Sequence, residues 1–215
     1  GRVDEAITAY DDLLAIVPDN PDVMVNALGL VRQKNPTDAL ARLMDLRAKY
    51  PTNATIAAQI GLVNAELKNY DEGLKYLNIA ADLESTNPKH FFNMAVVALK
   101  KYELTLDDNG KGNESLLDEA NKWFKKVYTQ NPNFGVGIEE MAKYYYYKRD
   151  YKAALETAQK AVAVDNRNSN AYSVMGQIYY SGIKDFKQAF ENFEQARSLN
   201  NKDVDVVYFL WATSE

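Results

Sequence analysis

Apolar positions recur every three to four residues along almost the whole chain, in segments of about a dozen residues parted by short polar turns. That period belongs to amphipathic helices and not to strands. Three stretches show the design: NATIAAQIGLVNAELKNYDEGLKYLNIAADLE from Asn53, GIEEMAKYYYYKRDYKAALETAQKAVAVDNRN from Gly137 and NAYSVMGQIYYSGIKDFKQAFENFEQARSLNNK from Asn170. Each reads as one periodic helix, a turn with Asp beside an aromatic residue, and a second helix with small residues inside. Two such helices make a helical hairpin, and self-similar hairpins bury their apolar faces by stacking on one another.

A small residue falls early in every second helix, at Ala6, Ala39, Gly73, Ala120, Ala154 and Ala189, with successive spacings of 33, 34, 47, 34 and 35. Helices whose axes approach to about 8–10 Å leave room at the crossing for nothing larger than a methyl group. Four residues on from most of these comes a large apolar side chain on the same helical face (Tyr10, Leu43, Leu77, Phe124, Phe193), and three further on a smaller one (Leu13, Leu46, Ala80, Val127, Ala161, Ala196). These are expected to fill the space between hairpins. Pro18, Pro51 and Pro132, with Asn166 and Asn201 at the equivalent place, end the second helices, because proline cannot continue a helix and asparagine tolerates turn geometry.

This register resembles the tetratricopeptide repeat (TPR) family, whose unit is 34 residues long. In the last full repeat the matching positions are Tyr172, Met175, Gly176, Tyr179, Ala189, Phe193 and Ala196, with one extra residue in the turn. In the preceding repeat they are Ile138, Met141, Ala142, Tyr145, Ala154 and Ala161, with Ala158 in place of the aromatic residue. The first helix of the second unit, Asp22 to Gln33, fits only within one or two residues. The resemblance covers nearly the whole chain and implies an all-α fold, a right-handed α-solenoid superhelix of TPR helical hairpins. The chain then reads as a single array over 1–215: a second helix alone in 1–19, repeats at 20–53, 54–87, 88–134, 135–168 and 169–203, and the start of a further repeat in 204–215. Half-hairpins at both ends lack the polar caps that a solenoid needs. The chain is therefore expected to be a piece of a longer protein, or to have its ends covered by another molecule, self-association included.

The 47-residue spacing exceeds the 34-residue unit by 13, and the excess falls in YELTLDDNGKGNESLL, an insertion loop at 103–115 within the fourth hairpin. Asp107, Asn109 and Glu114 offer the oxygens of a calcium loop, but Lys111 occupies a ligand position and no bidentate Glu falls at the twelfth place. A solvated, turn-rich loop is expected instead.

Composition narrows the function. The 215 residues are 47% apolar with net charge −5, which fits a soluble globular protein, and 10 Gly with 6 Pro leave no flexible linker. Zero cysteines exclude a disulfide framework, a thiol nucleophile and thiolate metal sites. No apolar run approaches the roughly 18 residues of a bilayer span, and GRVDEAITAY has no signal-peptide core, so no membrane insertion is expected. An acidic balance argues against nucleic acid, which needs clustered positive charge. High Asn, Lys and Tyr usage without Cys points to a bacterial source, in the cytoplasm or in the periplasm and cell envelope.

Catalysis finds little support. The only histidine, His90, reads as a partly exposed residue at the start of a helix, and Glu139 and Glu140 point about 100° apart, so they form no carboxylate dyad. GKG in the inserted loop lacks the Lys-Ser/Thr of a phosphate-cradling motif. No enzyme activity and no cofactor are expected.

Binding is better supported. First helices of such a stack line a concave surface suited to an extended or helical segment. The resemblance places groove residues at Phe92, Asn93 and Val96 in the fourth hairpin, with Lys89 and Lys100; at Glu139, Glu140, Lys143, Tyr146 and Tyr147 in the fifth; and at Asn170, Ser173, Gln177 and Tyr180 in the sixth. The third adds Ala58, Gln59, Leu62 and Glu66, and the second Met24, Leu28 and Val31. Within YYYY, Tyr145 stands at the family's core tyrosine position, which leaves Tyr146 and Tyr147 for the groove, where tyrosines are favoured anchors. The carboxylate-holding pattern of chaperone-binding TPR domains is broken, because Ala58, Leu62, Val136 and Glu140 stand at its Lys and Asn places. The asparagine ladder of sugar-transferring relatives is likewise interrupted, reading Gln59, Asn93, Glu140, Val174. The expectation is a non-catalytic scaffold that binds a protein or peptide segment in its groove, within a larger assembly. The alternative is the recognition arm of an enzyme whose catalytic domain lies outside the chain; RNA binding is disfavoured by the charge.

Overall fold

The computed structural model describes residues 20–131 and 137–200, together with Glu5, Thr8, Asp12 and Ile16. Among them are ten α-helices, one π-helical segment and no strand. The first six helices are α1 (Pro21–Lys34), α2 (Pro36–Lys49), α3 (Ala54–Glu66), α4 (Tyr70–Leu83), α5 (Pro88–Glu103) and α6 (Glu114–Gln130). Then follow α7 (Ile138–Tyr147), α8 (Tyr151–Val164), α9 (Ser169–Gln177), the π-helical Ile178–Ile183 and α10 (Phe186–Leu199). They form two compact units, Gly1–Leu104 with Glu114–Pro132, and Thr105–Asn113 with Asn133–Glu215.

Helix starts follow from side-chain caps. Asn35, Asn53 and Asn168 accept the backbone N–H three residues on, and Asp150 and Asp185 do the same for the second helices α8 and α10. Pro36 and Pro88 occupy the first helical turn, where a missing N–H costs nothing.

In the first unit α3 and α4 cross where two glycines meet. A Cβ added at Gly61 would stand 2.7 Å from Leu77 Cγ and 2.9 Å from the Gly73 carbonyl oxygen. Ala39, Ala120, Leu77, Phe124 and Val127 are fully buried, and Leu43 and Leu46 join Val25, Ile56, Ile60 and Val63 in the core. In the second unit Ala154 and Ala189 are fully buried as well, and a Cβ at Gly176 would meet the Phe193 ring at 2.6 Å. The small residues thus lie at helix crossings throughout the described chain; Ala6, Tyr10, Leu13, Pro18, Pro132 and Asn201 lie outside the described residues.

The extra residue of the last repeat has a structural home. In two turns the N–H of the cap residue bonds five residues back, Asn69 to the Asn64 carbonyl (2.8 Å) and Asp150 to that of Tyr145 (3.0 Å); in the third Asp185 reaches six back, to Tyr179 (3.0 Å). The π-helical Ile178–Ile183 is the wider coil that holds the additional residue without breaking the hairpin.

One residue here sits differently from its sequence reading. His90 is not partly exposed but buried (5%), its Nε2 3.1 Å from Glu84 Oε2, because the turn before α5 folds Glu84 and Asn87 back over it. Bonds from Asn87 and then from His90 hold the Glu84 carboxyl below the usual carboxylate range. In the tyrosine run Tyr145 packs half-buried against the Ala142–Ala154–Ala158 cluster, in keeping with its core position in the repeat, and Tyr144 beside it is buried as well (7%).

Candidate functional site

In the first unit α1, α3 and α5 are successive first helices. They enclose a shallow cavity of about 360 Å³ with Leu62, Ala65, Val96 and Val97 as its apolar floor and Arg32, Glu66 and Lys100 around it. Arg32 bridges α1 to α3, with its Nε 3.3 Å from Glu66 and its Nη1 donating to Gln59 at 3.3 Å. Of the groove residues expected in α5, Val96 and Lys100 line this cavity. Phe92 is half-buried with its ring 6.3 Å from that of Phe124, and Asn93 is half-buried.

The expected residues of the second unit separate into two groups. On the first helices, Lys143 pairs with Glu140 at 3.0 Å, and Glu139 accepts a hydrogen bond from Asn168 at 3.2 Å, which ties α7 to the cap of α9. Asn170 is exposed and Gln177 half-buried. Ser173 is 8% exposed: α9 packs against both α7 and α8, and this short side chain is enclosed between them, so it offers no groove surface. Tyr180 leans edge-on against Phe186, with ring centres 5.6 Å apart.

Tyr146 and Tyr147, the last residues of α7, form the other group, at the hairpin turn. A cleft of about 470 Å³ opens there, walled by Asp108, Asn109 and Gly110 of the inserted loop, by the two tyrosines, by Arg149 and Tyr151 of the α7–α8 turn, and by Ser181 and Lys184 after α9. Tyr146 meets Tyr147 edge-on at 5.4 Å and Tyr151 at 6.1 Å, giving a three-ring array. Gly182 makes room for it, since a Cβ there would lie 2.6 Å from the Tyr151 ring.

The loop is ordered by its own carboxylate. Asp107 Oδ1 accepts the N–H groups of Asn109 and Lys111 at 2.9 Å each, and Asn113 N–H donates to Thr105 Oγ1 at 2.8 Å across the loop's neck. The Lys111 N–H chiefly, with the Asn109 N–H and the charges of Lys111 and Arg149, holds the Asp107 carboxyl below its usual range. Arg149 Nη2 donates to the Asn109 carbonyl at 3.1 Å and pins the loop to the turn. No group of three His, Asp or Glu side chains suited to a metal ion occurs among the described residues.

Lys68, Arg149 and Lys184 share a left-handed backbone, with φ of 65°, 60° and 66°, each at the end of a first helix. The cations at the cleft therefore occupy a regular turn position. Sequence reasoning passed over Arg149, Tyr151, Ser181 and Lys184, although the inserted loop and the extra turn residue both pointed to this edge. The cleft offers cations, hydroxyls and aromatic faces, with no base set against a nucleophile.

Close-crossing hairpins, small residues at the crossings and first helices side by side define a helical-repeat protein. The family model described as tetratricopeptide repeat matches residues 25–88. A TPR repeat-containing protein of Methanocaldococcus jannaschii is 26% identical over 155 residues, covering 70% of this chain and 26% of its own length. The chain thus spans about a quarter of that relative. The crystal structure of TTC0263, a thermophilic TPR protein of Thermus thermophilus, superposes with a TM-score of 0.72 at 14% identity, over 86% of this chain and 93% of that one. A human IFIT1 dimer with m7Gppp-AAAA gives 0.73 at 15% identity, over 97% of this chain and 50% of that one. The chain is thus similar to tetratricopeptide repeat proteins in sequence over residues 25–88 and in fold over most of its length. Proteins of this fold generally mediate protein–protein interaction and are generally non-catalytic. No described helix is long and apolar enough to cross a membrane.

Proposed function

We propose that this chain is a non-catalytic scaffold whose second unit binds a segment of a partner protein. The observation that carries the reading is the array of Tyr146, Tyr147 and Tyr151, half-buried and lining the cleft at the hairpin turns, with Tyr146 and Tyr151 seated on the core cluster. Tyrosine supplies large contact area at low rotamer cost and a hydroxyl to fix orientation, which is why it anchors interfaces. The first-helix residues Glu139, Lys143, Asn170 and Gln177 add polar groups that set register, and Phe92, Asn93 and Val96 give the first unit a more apolar counterpart.

Affinity capture with wild type and with Tyr147→Ala, followed by titration of the purified partner, tests this. The variant is expected to lose at least tenfold in affinity, the scale of an anchor tyrosine, and to melt within about 2 °C of wild type. A lowered melting point with unchanged affinity would make Tyr147 a packing residue and remove the reading. A second reading, the recognition arm of a larger enzyme, draws on the 26% share of its curated relative that the chain spans; an activity assay on the longer protein distinguishes it. RNA in place of protein would show as a strongly salt-dependent shift with a single-stranded oligonucleotide.

A further inference from the structure

We infer that the turn-edge cleft of the second unit holds one carboxylate-bearing segment of the partner polypeptide, an Asp or Glu followed by an apolar or aromatic residue. This rests on the scaffold reading and names the chemistry of its ligand. The site stands at the turn end of the first helices: Tyr146 and Tyr147 close α7, and the rest of its lining comes from turns, the π-helical segment and the inserted loop.

Three departures from the repeat converge on it. The inserted loop supplies one wall, the tyrosine run a second, and the π-helical segment a third. Departures from local regularity are tolerated where function repays them, and π-segments recur at binding sites. None of the three is adjacent in sequence to the others, so their meeting is a property of the fold.

The lining chemistry selects the ligand. Arg149 uses one of its five N–H donors on the Asn109 carbonyl, and neither it nor Lys184 has an ion-pair partner among the described residues. The Ser181 hydroxyl likewise makes no hydrogen bond among them. Donors therefore outnumber acceptors, and an anionic oxygen pair satisfies them. Asp108 is the single acidic side chain of the lining, and Asp107 beside it in the loop feels the charges of Arg149 and Lys111, so three cations stand against two carboxylates. That balance matches one further negative charge and leaves the remaining charges of a polyanion uncompensated, which favours a carboxylate over a phosphate chain. The volume of about 470 Å³ is that of a small-ligand pocket and admits two adjacent side chains. The tyrosine faces beside the cations then take the apolar neighbour.

The probes are two blocked tetrapeptides, Ala-Glu-Phe-Ala and Ala-Gln-Phe-Ala, titrated at low salt against the whole chain and followed by the amide resonances of Gly110 and Gly182. The Glu peptide is expected to bind about tenfold tighter than the Gln peptide, with shifts at both glycines. Lys184→Gln should weaken the Glu peptide about fivefold and leave the Gln peptide unchanged. Asp108→Asn should strengthen the Glu peptide, a gain that a general loss of folding cannot imitate. Lys68→Gln, at the same turn position in the first unit, should change nothing. Equal binding of the two peptides, no binding of either, weakening by Asp108→Asn, or displacement of the Glu peptide by equimolar AMP would each overturn the inference. Loss of partner capture in Tyr147→Ala with silent peptides sinks this ligand class while the scaffold stands; the converse sinks the scaffold reading.

Discussion

Gly29→Ala and Gly61→Ala are the same chemical change in two helices of one unit, and the structure gives them opposite signs. Replacing a mid-helix glycine by alanine contributes about 1 kcal/mol through backbone entropy. At Gly29, in α1, an added Cβ meets nothing within 4 Å, so that gain stands alone. At Gly61, in α3, the Cβ falls 2.7 Å from Leu77 Cγ and 2.9 Å from the Gly73 carbonyl oxygen. A backbone oxygen in a packed helix cannot swing aside as a side-chain tip can, so α3 and α4 must separate. Overpacking of this kind costs about 2–3 kcal/mol, which leaves a net loss of about 1–2 kcal/mol once the propensity gain is counted. In a chain of this size 1 kcal/mol moves the melting temperature by about 2–4 °C. Gly29→Ala should therefore melt about 3 °C above wild type and Gly61→Ala about 3–6 °C below it. Helical circular dichroism during heating and during urea titration reads both, and the urea midpoint guards against a local transition that heating alone would average, since repeats unfold in nearest-neighbour units. A Gly61→Ala protein at or above the wild-type midpoint would mean that the helices do not touch there, and the steric account of the repeat would fail.

Two further outcomes follow from the caps and the loop. Asp150→Ala removes the side chain that accepts the Ala153 N–H at the start of α8, and should lower stability by about 1 kcal/mol in a urea titration; Asn69, at the same place before α4, makes no side-chain cap bond, so Asn69→Asp should raise it by a few tenths. The Asp107 carboxyl is depressed in the folded state, so its contribution to loop order is complete above the ordinary aspartate value of 3.8 and fades as the pH falls through the lower folded value. Exchange protection of the Asn109 and Lys111 amides should accordingly persist at pH 5 and be lost in strong acid ahead of the helix amides.

The repeat was legible because its demands are local. A crossing point needs a residue no larger than alanine whatever its neighbours are, so Ala154, Ala189 and Gly73 announce themselves in one sequence. Phe193 and Leu77, four residues on, follow from helical phase alone. Roles that depend on a single step of that phase were less secure. Tyr144 is buried although the repeat register singled out only its neighbour Tyr145, and Ser173 is closed in by two neighbouring helices that its own helix cannot reveal. His90 was misread for a different reason: its cover comes from Glu84, in the preceding turn, and turn geometry carries no periodic signal. The cleft was the least legible part, since Asn109 and Arg149 are 40 residues apart and their meeting depends on where the insertion folds.

The turn position shared by Lys68, Arg149 and Lys184 separates what the repeat requires from what a site adds. A left-handed residue ends the first helix of three of the described hairpins, and asparagine or glycine would meet that need at less strain than a long cation. A basic residue at all three turns is therefore no signal by itself. What differs is the company: the second-unit turns stand beside an inserted loop pinned by Arg149 and a π-segment that carries Ser181 to the same edge. The insertion and the extra residue leave the crossings at Ala154 and Ala189 intact, both fully buried. Irregularity that spares the core and gathers at one rim is the ground on which we place recognition at these turns.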